Sequence, residues 1–375
     1  MLSQLHLKNW RSIREATINF TPLTVLIGAN SSGKSNILDA LHFSKRGFDV
    51  GLKVAARNWG GQSQIYPMFA APNEDVALNL RFLPTTEFGT VEQKLRLHFD
   101  DTAVSIASSI IANDQEYVFP ENVSNRGVSF NQNGVDDLLI TQRMSNWIGN
   151  QLTDRWQLLR EGFMSKTELF ANLEETEPHI LSDGAENLPA VLHYIRTTAP
   201  LVYENFAADA AWLLDHVTSI ETERDEYRTS FSIREKQNVK VDAPSVSTGT
   251  RRALAMLAAN YVLDVENAEQ PGLVVIEEPE QALHPLLLDK FVELLRIYVD
   301  HDTNGNKDRQ FILTTHNPAF LDYFKREEVR VVNRDPETGE TTVDTIPEYL
   351  DETWLDERSL GTAWTNRLVG GVPEP

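Results

Sequence analysis

The chain has 375 residues, a formal net charge of −21 at pH 7 and no cysteine. This length predicts a large core and two structural units, one inserted in the other, and the lack of cysteine excludes disulfides, thiolate zinc sites and a cysteine nucleophile. The acidic surface repels nucleic acid on average, so the composition does not support a nucleic-acid partner, although a local basic patch would allow one.

The first residues predict short strands that lead to a glycine-rich loop. Leu5 and Leu7 alternate with polar neighbours and predict a strand, and Leu23–Ile27 is an aliphatic run typical of a buried strand. The N-terminus lacks the charged-then-apolar pattern of a secretion signal, and no apolar run of the chain is long enough to span a bilayer. We therefore expect a cytoplasmic protein with no membrane partner.

The stretch Gly28–Ser35 fits the pattern G-x-x-x-x-G-K-[ST] of the phosphate-binding P-loop, and apolar residues recur at helical spacing from Ile37 onward. A strand before the loop and a helix after it are the usual setting of this motif. Glycines let the backbone approach an anion, while the loop N–H groups and the helix N-terminus point at the phosphates. We expect ATP to bind here, with Lys34 on the β- and γ-phosphates and the Ser35 hydroxyl on Mg²⁺.

The middle of the chain predicts strands followed by helices. The segment 47–72 is rich in Gly, Asn and Gln and predicts irregular structure. Apolar and polar residues alternate at 76–82 and at 95–99, which predicts two antiparallel strands. From 101 to 235 amphipathic helices broken by Pro200, without the persistent heptads of a coiled coil, predict a compact, mainly helical insert.

The C-terminal part predicts two buried strands that end in polar residues. Leu273–Ile276 delivers Glu277 and Glu278 to the carboxyl end of a parallel sheet, where ligands of open α/β sheets bind. Glu277 can hold Mg²⁺, and Glu278 can polarise the attacking water. Phe311–Leu313 precedes His316, which can hydrogen-bond the γ-phosphate or the water, although a lone histidine there is more often a capping or core residue.

A third candidate is Ser247–Gly249, which precedes a predicted helix. A serine hydroxyl, a glycine backbone and a helix N-terminus together form an anion site, whereas the serine alone is an ordinary N-cap. Within one chain this site would duplicate the role of the P-loop. Its best use is therefore on the γ-phosphate of ATP that is bound to another subunit.

The order of these motifs resembles the ATP-binding-cassette superfamily, in which Walker A, the signature, Walker B with a catalytic Glu, and the switch His follow one another. Here they are Gly28–Ser35, Val246–Thr250, Ile276–Glu280 and Thr315–His316. Further motifs resemble the chromosome-maintenance and recombination branch (SMC and RecF proteins) and its bacterial AAA-type, OLD-like relatives: Asn9-Trp-Arg-Ser12, Asn30-Ser-Ser-Gly-Lys-Ser-Asn36, Glu278-Pro-Glu with Leu283-His-Pro285, and Thr315-His-Asn-Pro318. A further resemblance, to stand-alone RecF-like ATPases, lies in Leu181-Ser-Asp-Gly184, Asn187-Leu188, Leu360-Gly361, Trp364 and Val369-Gly-Gly-Val-Pro373.

The resemblance implies an ATPase whose heads dimerise around two ATP molecules, each held between Walker A of one chain and the signature of the other. It implies that Arg11 contacts the nucleotide phosphates and that Glu278, His316 and Lys34 carry the catalytic roles. The implied nucleotide-binding residues are Arg11, Gly28, Ala29, Asn30, Ser31, Ser32, Gly33, Lys34, Ser35, Asn36, Ser247 and Gly249, and the implied magnesium ligands are Ser35 and Glu277.

The expected fold is therefore an α/β P-loop NTPase with an ABC/SMC-type head, made of a mixed sheet and antiparallel strands, and an inserted mainly helical subdomain. We expect an N-terminal lobe at 1–100, the insert at 101–235, a C-terminal lobe at 236–350 and a tail at 351–375.

Three details depart from the superfamily pattern. Glu277 stands where Asp is usual, and Val246-Ser-Thr-Gly-Thr250 replaces the usual Leu-Ser-Gly-Gly-Gln. The Q-loop glutamine has only two candidates, Gln62 and Gln64.

The leading interpretation is an ATP-gated homodimer that acts as the motor or sensor of a DNA-repair or anti-phage defence complex, with a separately encoded effector. A transporter subunit is disfavoured by the long interval between Lys34 and Ser247. A module that binds ATP without hydrolysing it is disfavoured by the presence of Glu278.

The alternative is an ATP-gated, OLD-like nuclease component. Only a short stretch follows His316, and it has no evident acidic metal cluster of the nuclease kind. Its carboxylates predict a solvated tail instead, and they are Asp351, Glu352, Asp356 and Glu357.

Overall fold

A computed structural model of the chain describes residues 1–67, 74–85, 87–99, 104–112, 115–119, 135–160, 171–172, 179–226, 228–265, 271–300, 309–350, 354 and 358–372. The strands are β1 (Leu2–Trp10), β2 (Ile13–Asn19), β3 (Leu23–Ile27), β4 (Val76–Thr85), β5 (Gly89–Phe99), β6 (Val104–Ala112), β7 (Gln115–Phe119), β8 (Trp156–Leu159), β9 (Ala171–Asn172), β10 (Val217–Arg224), β11 (Arg228–Glu235), β12 (Lys240–Asp242), β13 (Gly272–Glu277), β14 (Arg309–Thr315), β15 (Val329–Arg334) and β16 (Thr341–Thr345). The helices are α1 (Lys34–Val50), α2 (Leu52–Asn58), α3 (Gln62–Ile65), α4 (Val135–Thr153), α5 (Leu188–Thr198), α6 (Pro200–Leu213), α7 (Thr248–Tyr261), α8 (Pro285–Val299), α9 (Pro318–Leu321) and α10 (Leu360–Thr365).

The chain divides into two compact units. The first holds Met1–Thr153 and Phe324–Pro375, and the second holds Asp154–Tyr323. The first unit contains an antiparallel sheet in the order β2-β1-β4-β5-β6-β7. Strands β4 and β5 bury every second side chain; in β5, for example, Leu95 and Leu97 are buried and Arg96 is exposed. This period of two confirms the strands predicted at 76–82 and 95–99.

The first unit also holds the strand that leads to the glycine-rich loop. β3 is buried along its whole length and pairs in parallel with β15, which forms an antiparallel hairpin with β16. α1 follows the loop and buries Ile37, Leu38 and Leu41 on its inner face. The predicted order of strand, loop and helix around Gly28–Ser35 is therefore confirmed.

The second unit is built on three parallel strands in the order β14-β13-β8, beside an antiparallel group of β9 to β12. β13 and β14 are buried on both faces, as is typical of parallel strands covered by helices. α7 packs on β8 and β13, and α8 packs on β14. Because β13 and β14 run in the same direction, Glu277 and Thr314 lie opposite each other at one edge of the sheet.

The segment 47–72, predicted as irregular, is helical over most of its described part. α1 continues to Val50, and α2 and α3 follow it. Gly51 separates α1 from α2 with a φ of 89°, and Leu52 then anchors α2 by its burial. Gly51, Gly60 and Gly61 lie between the helices, Gly47 lies inside α1, and 68–73 lie outside the described residues.

The segment 101–235, predicted as one mainly helical insert, contributes to both units and contains strands as well as helices. β6 pairs with β5 in the first unit, whereas β8 pairs with β13 in the second. The boundary between the units consequently falls after Thr153, inside the predicted insert. The reason is that short strands such as β8 join sheets whose other strands lie far away in the sequence, which a local pattern does not reveal.

Among the helices of the described residues, none combines the length and the hydrophobicity that crossing a membrane requires.

Candidate functional site

The phosphate loop, Gly28–Ser35, lies between β3 and α1 in the first unit. Asn30, Ser31 and Ser35 are exposed, so part of the loop faces solvent. Gly33 has a φ of 111°, and a Cβ on it would collide with the side chain of Thr341. Glycine is therefore required at this position by the backbone conformation and by the packing.

Lys34 is folded against the loop. Its ammonium donates hydrogen bonds to the carbonyl oxygens of Gly28 at 2.7 Å and of Ala29 at 3.0 Å, and the residue is 5% exposed. These bonds hold a positive charge next to the loop backbone. A phosphate group would compete with the two carbonyls for the ammonium, because charge-assisted hydrogen bonds are the stronger ones.

A buried hydrogen-bond network holds the loop to the N-terminal turn and to the β15–β16 hairpin. Thr341 Oγ1 donates to the carbonyl of Ser32 at 2.8 Å and lies 2.7 Å from Ser12 Oγ. The side-chain amide of Asn36 donates to Ser12 Oγ at 2.6 Å. Sequence reasoning missed Ser12 and Thr341 as supports of the loop, since they lie 329 positions apart and belong to no phosphate-binding pattern.

Arg11 lies beside the first turns of α1. Its guanidinium donates to Asp39 Oδ2 at 2.5 Å and to Asn36 Oδ1 at 3.4 Å. The structure thus places Arg11 beside Asn36, the residue that directly follows the loop. A contact between Arg11 and nucleotide phosphates would require the guanidinium to exchange Asp39 for a phosphate, and this role stays a prediction.

In the second unit, the ends of β13 and β14 bring the predicted base and switch residues into contact. Glu278 Oε1 lies 2.7 Å from His316 Nε2, and its other carboxylate oxygen accepts a hydrogen bond from Gln281. Glu278 has a φ of 48°, which is rare for a residue with a side chain. Its backbone N–H donates to the Thr314 carbonyl at 3.2 Å, which holds the turn in place.

Glu280 is a carboxylate that sequence reasoning did not single out. Its Oε1 accepts a hydrogen bond from the Thr315 hydroxyl at 2.6 Å and one from the His316 backbone N–H at 3.3 Å. Burial raises the pKa of the Glu280 carboxyl above its ordinary value, and the hydrogen bond from Thr315 opposes this effect. The run Glu-Glu-Pro-Glu was the available signal, but only its first two carboxylates were given a role from the sequence.

Ser247 is the N-cap of α7, as the simplest interpretation of the sequence predicts. Its hydroxyl accepts a hydrogen bond from the Thr250 N–H at 3.1 Å. Ser247 and Thr248 are exposed and Gly249 is half-buried, so the first turn of α7 is open to solvent. The geometry is that of a capped helix N-terminus that an anion can approach.

The remaining candidates are also located by the structure. Glu277 ends β13 and is half-buried, and the Q-loop candidates Gln62 and Gln64 are exposed on α3. Asp351, Glu352, Asp356 and Glu357 lie outside the described residues. Within the described ranges, no group of three or more His, Cys, Asp or Glu residues is arranged to hold a metal ion.

The chemistry of these residues fits a magnesium nucleotide. The Ser35 hydroxyl of the first unit offers an oxygen ligand of the kind that Mg²⁺ prefers, and so, separately, does the Glu277 carboxylate of the second unit. The phosphate loop presents its backbone at the N-terminus of α1, which has 17 residues and favours an anion. Ser32 Oγ is buried and has no hydrogen-bond partner among the described residues, so it remains available to a phosphate oxygen.

Two family profiles match the chain. Residues 1–122 match the family described as “AAA ATPase domain”, and residues 148–322 match the family described as “AAA domain, putative AbiEii toxin, Type IV TA system”. The first match includes the phosphate loop. The second includes Ser247, Glu278 and His316.

Two nucleases are similar in sequence at low identity. The OLD nuclease of Thermus scotoductus is 23% identical over 368 residues, which cover 89% of this chain and 62% of the relative. The Old nuclease of Escherichia phage P2 is 24% identical over 350 residues, which cover 85% of this chain and 57% of the relative. The chain thus spans about three fifths of the length of these relatives.

Solved structures of Smc head domains are similar in fold. The Smc head bound to the C-winged helix domain of ScpA has a TM-score of 0.63 at 16% identity and covers 95% of this chain and 99% of its own. The Pyrococcus furiosus Smc head with an extended coiled coil, bound to the C-terminal domain of ScpA, has a TM-score of 0.58 at 14% identity and covers 95% of this chain and 98% of its own. At these identities the similarity establishes the fold, and it confirms the predicted α/β P-loop NTPase of ABC/SMC type.

Proposed function

We propose that this chain is an SMC/RecF-like ATPase related to OLD-like proteins, and that two copies of it dimerise head to head around ATP. In the proposed dimer the phosphate loop of one chain binds ATP, and Ser247 and Gly249 of the other chain bind its γ-phosphate. The exposed and capped N-terminus of α7 carries this proposal, because it is a second anion-binding element in a chain that already has a phosphate loop.

The proposed catalytic roles follow from the chemistry of each residue. Glu278 accepts a proton from the attacking water, and His316, hydrogen-bonded to that carboxylate, responds to the γ-phosphate. Lys34 neutralises charge on the β- and γ-phosphates, and Arg11 adds a second positive group. Ser35 and Glu277 hold the magnesium ion, which when bound withdraws charge from the phosphate oxygens.

The biological role that we propose is that of a motor or sensor subunit in a DNA-repair or anti-phage defence complex. The similarity to two OLD nucleases supports this role, as does the profile described as a toxin–antitoxin AAA domain. In this proposal the ATP-bound dimer recruits a separately encoded effector, and hydrolysis releases it. Nucleic acid is a further partner suggested by the relatives, although the charge of −21 weakens that suggestion.

A complementation experiment tests the proposed dimer. Lys34→Ala removes nucleotide binding from both composite sites of a homodimer, and Ser247→Arg obstructs both signatures. When the two inactive variants are mixed, one composite site per heterodimer combines an intact Lys34 with an intact Ser247. We expect ATP hydrolysis to reappear in the mixture, and a mixture that stays as inactive as its components would contradict the dimer.

The second candidate function is an ATP-gated, OLD-like nuclease component. It is favoured by one observation, the similarity to OLD nucleases along 89% and 85% of this chain. The test is incubation of the purified chain with supercoiled plasmid, ATP and either Mg²⁺ or Mn²⁺. Cleavage that persists through purification and disappears in Lys34→Ala would favour this function. A plasmid that stays intact would contradict it and favour the proposal of an ATPase subunit.

A further inference from the structure

The C-terminal segment, residues 358–372, ends against the phosphate loop within the first unit. It begins with α10, which is capped by Ser359, and continues through the buried Val369 to Gly370 and Gly371. The two glycines have φ angles of 79° and 64°, so both adopt the left-handed conformation that favours glycine. The Gly-Gly pair was part of the family resemblance, but no role in the site came with it.

Gly371 packs directly on the first residue of the loop. Its N–H donates a hydrogen bond of 2.5 Å to Oδ1 of Asn333 in β15. A Cβ placed on Gly371 would lie 3.1 Å from the Cα of Gly28 and 3.1 Å from Cγ1 of Val331. The backbone of the C-terminal segment therefore occupies the space next to Gly28, and a side chain at position 371 would require Gly28 or Val331 to shift.

Gly28 is confined from other directions as well. A Cβ on Gly28 would collide with the carbonyl of Val332 and lie 2.6 Å from Ser32 Oγ. The carbonyl of Gly28, in turn, accepts a hydrogen bond from the ammonium of Lys34. The position of Gly371 thus limits where Gly28 lies, and Gly28 limits where the Lys34 ammonium lies.

We propose that Gly371 and Asn333 are positioning residues for the bound nucleotide. They fix the start of the phosphate loop through the C-terminal segment. The loop is then already in the conformation that accepts phosphates, and binding does not have to order it. The proposal rests on nucleotide binding at the phosphate loop. Neither residue touches the nucleotide in this proposal, and their effect passes through Gly28 and Lys34.

The first test is Gly371→Val, with Gly51→Val as the matched control. Both glycines have positive φ angles, 64° and 89°, but a Cβ on Gly51 would meet no atom within 4 Å. We expect Gly371→Val to raise the Kd for a fluorescent ATP analogue by about tenfold or more, because strain and the clash are relieved by displacing Gly28. Gly51→Val should change the Kd less than about twofold. Circular dichroism and the thermal unfolding midpoint without nucleotide report whether each variant is folded.

The second test uses Asn333, which donates to Asp344 Oδ2 at 2.9 Å and accepts from Gly371. Asn333→Ala removes both hydrogen bonds and should raise the Kd about threefold to tenfold, whereas Asp344→Ala removes only the first and should leave the Kd unchanged.

Equal Kd values for folded Gly371→Val and the wild type would overturn the proposal. If Gly371→Val does not fold, equal effects of Asn333→Ala and Asp344→Ala would overturn it instead. Failure of the wild type to bind the analogue would refute nucleotide binding itself and is therefore distinguishable.

Discussion

His316 Nε2 lies 2.7 Å from Glu278 Oε1, so the imidazole at the end of one strand is hydrogen-bonded to the carboxylate at the end of its parallel neighbour. The backbone N–H of His316 is held separately by Glu280. The histidine is therefore fixed at its backbone and at its ring.

Glu278→Gln should preserve ATP binding and lower steady-state hydrolysis by about 10²–10⁴-fold, because an amide cannot accept the proton of the attacking water. Sedimentation velocity should then show an ATP-bound dimer that accumulates. Gln281→Ala is the control, since it removes a hydrogen-bond donor to Glu278 and keeps the carboxylate, and it should retain most of the hydrolysis. Hydrolysis at the wild-type rate in Glu278→Gln would refute the assignment of the base.

Lys34→Ala should abolish detectable binding of a fluorescent ATP analogue while the protein stays folded. The reason is that the ammonium is the positive charge held against the loop by the carbonyls of Gly28 and Ala29. Lys45→Ala removes another lysine of α1, whose ammonium donates to the Thr153 carbonyl at 3.2 Å, and should leave the Kd near the wild-type value. Equal binding by the wild type and Lys34→Ala would contradict the role of this lysine.

Ser247→Arg should prevent ATP-dependent dimerisation and leave nucleotide binding by the monomer intact. The substitution also removes the N-cap of α7, a loss that costs about 1 kcal/mol. Ser247→Asp separates the two effects, because aspartate is a good N-cap but repels phosphate. Both variants should sediment as monomers with ATP. An ATP-dependent dimer formed by both variants would contradict the proposed contact between Ser247 and the ATP of the other chain.

Asp264→Asn should lower the free energy of unfolding by about 3–5 kcal/mol, because it leaves the guanidinium of Arg309 buried without its carboxylate. The side chains of Arg309 and Asp264 are 2% and 4% exposed. Asp49→Asn disrupts the pair with Arg46, whose side chains are half-exposed, and should change stability by less than about 1 kcal/mol. Urea unfolding curves measure both, and similar values for the two variants would contradict the role of burial.

The free energy of unfolding of Glu280→Gln should rise relative to that of the wild type as the pH increases from about 4.5 towards neutrality. The pKa of the Glu280 carboxyl is raised in the folded protein, chiefly by burial. Its contribution to stability is therefore complete below the unfolded-state pKa and is lost as the pH rises through the folded-state pKa. Glutamine carries no charge and keeps an oxygen that accepts from Thr315 and His316.

The control for this pH dependence is Asp335→Asn. Hydrogen bonds from Thr338 and Glu337 lower the pKa of the exposed Asp335 carboxyl, so its stabilising contribution is present at neutral pH and is lost on acidification. The difference between variant and wild type should then change with pH in the opposite direction. Chemical denaturation measures the Glu280→Gln difference above about pH 4.5 and the Asp335→Asn difference below about pH 3.8, and a flat difference for Glu280→Gln would contradict the raised pKa.

The phosphate loop was predictable because its function imposes a contiguous pattern on the sequence. The same holds for the buried strand that ends in Glu277 and Glu278, and for His316 after the next one. Hydrophobic period and motif order were enough for these elements, and the contact between Glu278 and His316 follows from two adjacent parallel strands.

The supports of the loop were not predictable from the sequence. Thr341 and Gly371 reach Ser32 and Gly28 from more than 300 positions away, and only the folded chain brings them there. The mixed segment 101–235 was misjudged for the same reason. Strand β8 is defined by its parallel partner β13, far along the chain, and its four uniformly buried residues show no periodicity that identifies it.

Two tyrosines at the far ends of α7 and α8 share one carboxylate oxygen. Tyr261 and Tyr298 both donate hydrogen bonds to Oδ2 of Asp209 in α6, and burial raises the pKa of both hydroxyls, so both remain donors. Hydrogen bonds to a charged group contribute about 1.5–3 kcal/mol each, and α7 with its 14 residues is about 21 Å long. Asp209 consequently joins the C-terminal ends of α7 and α8 to α6, while Ser247, the N-cap of α7, lies at the opposite end of that helix.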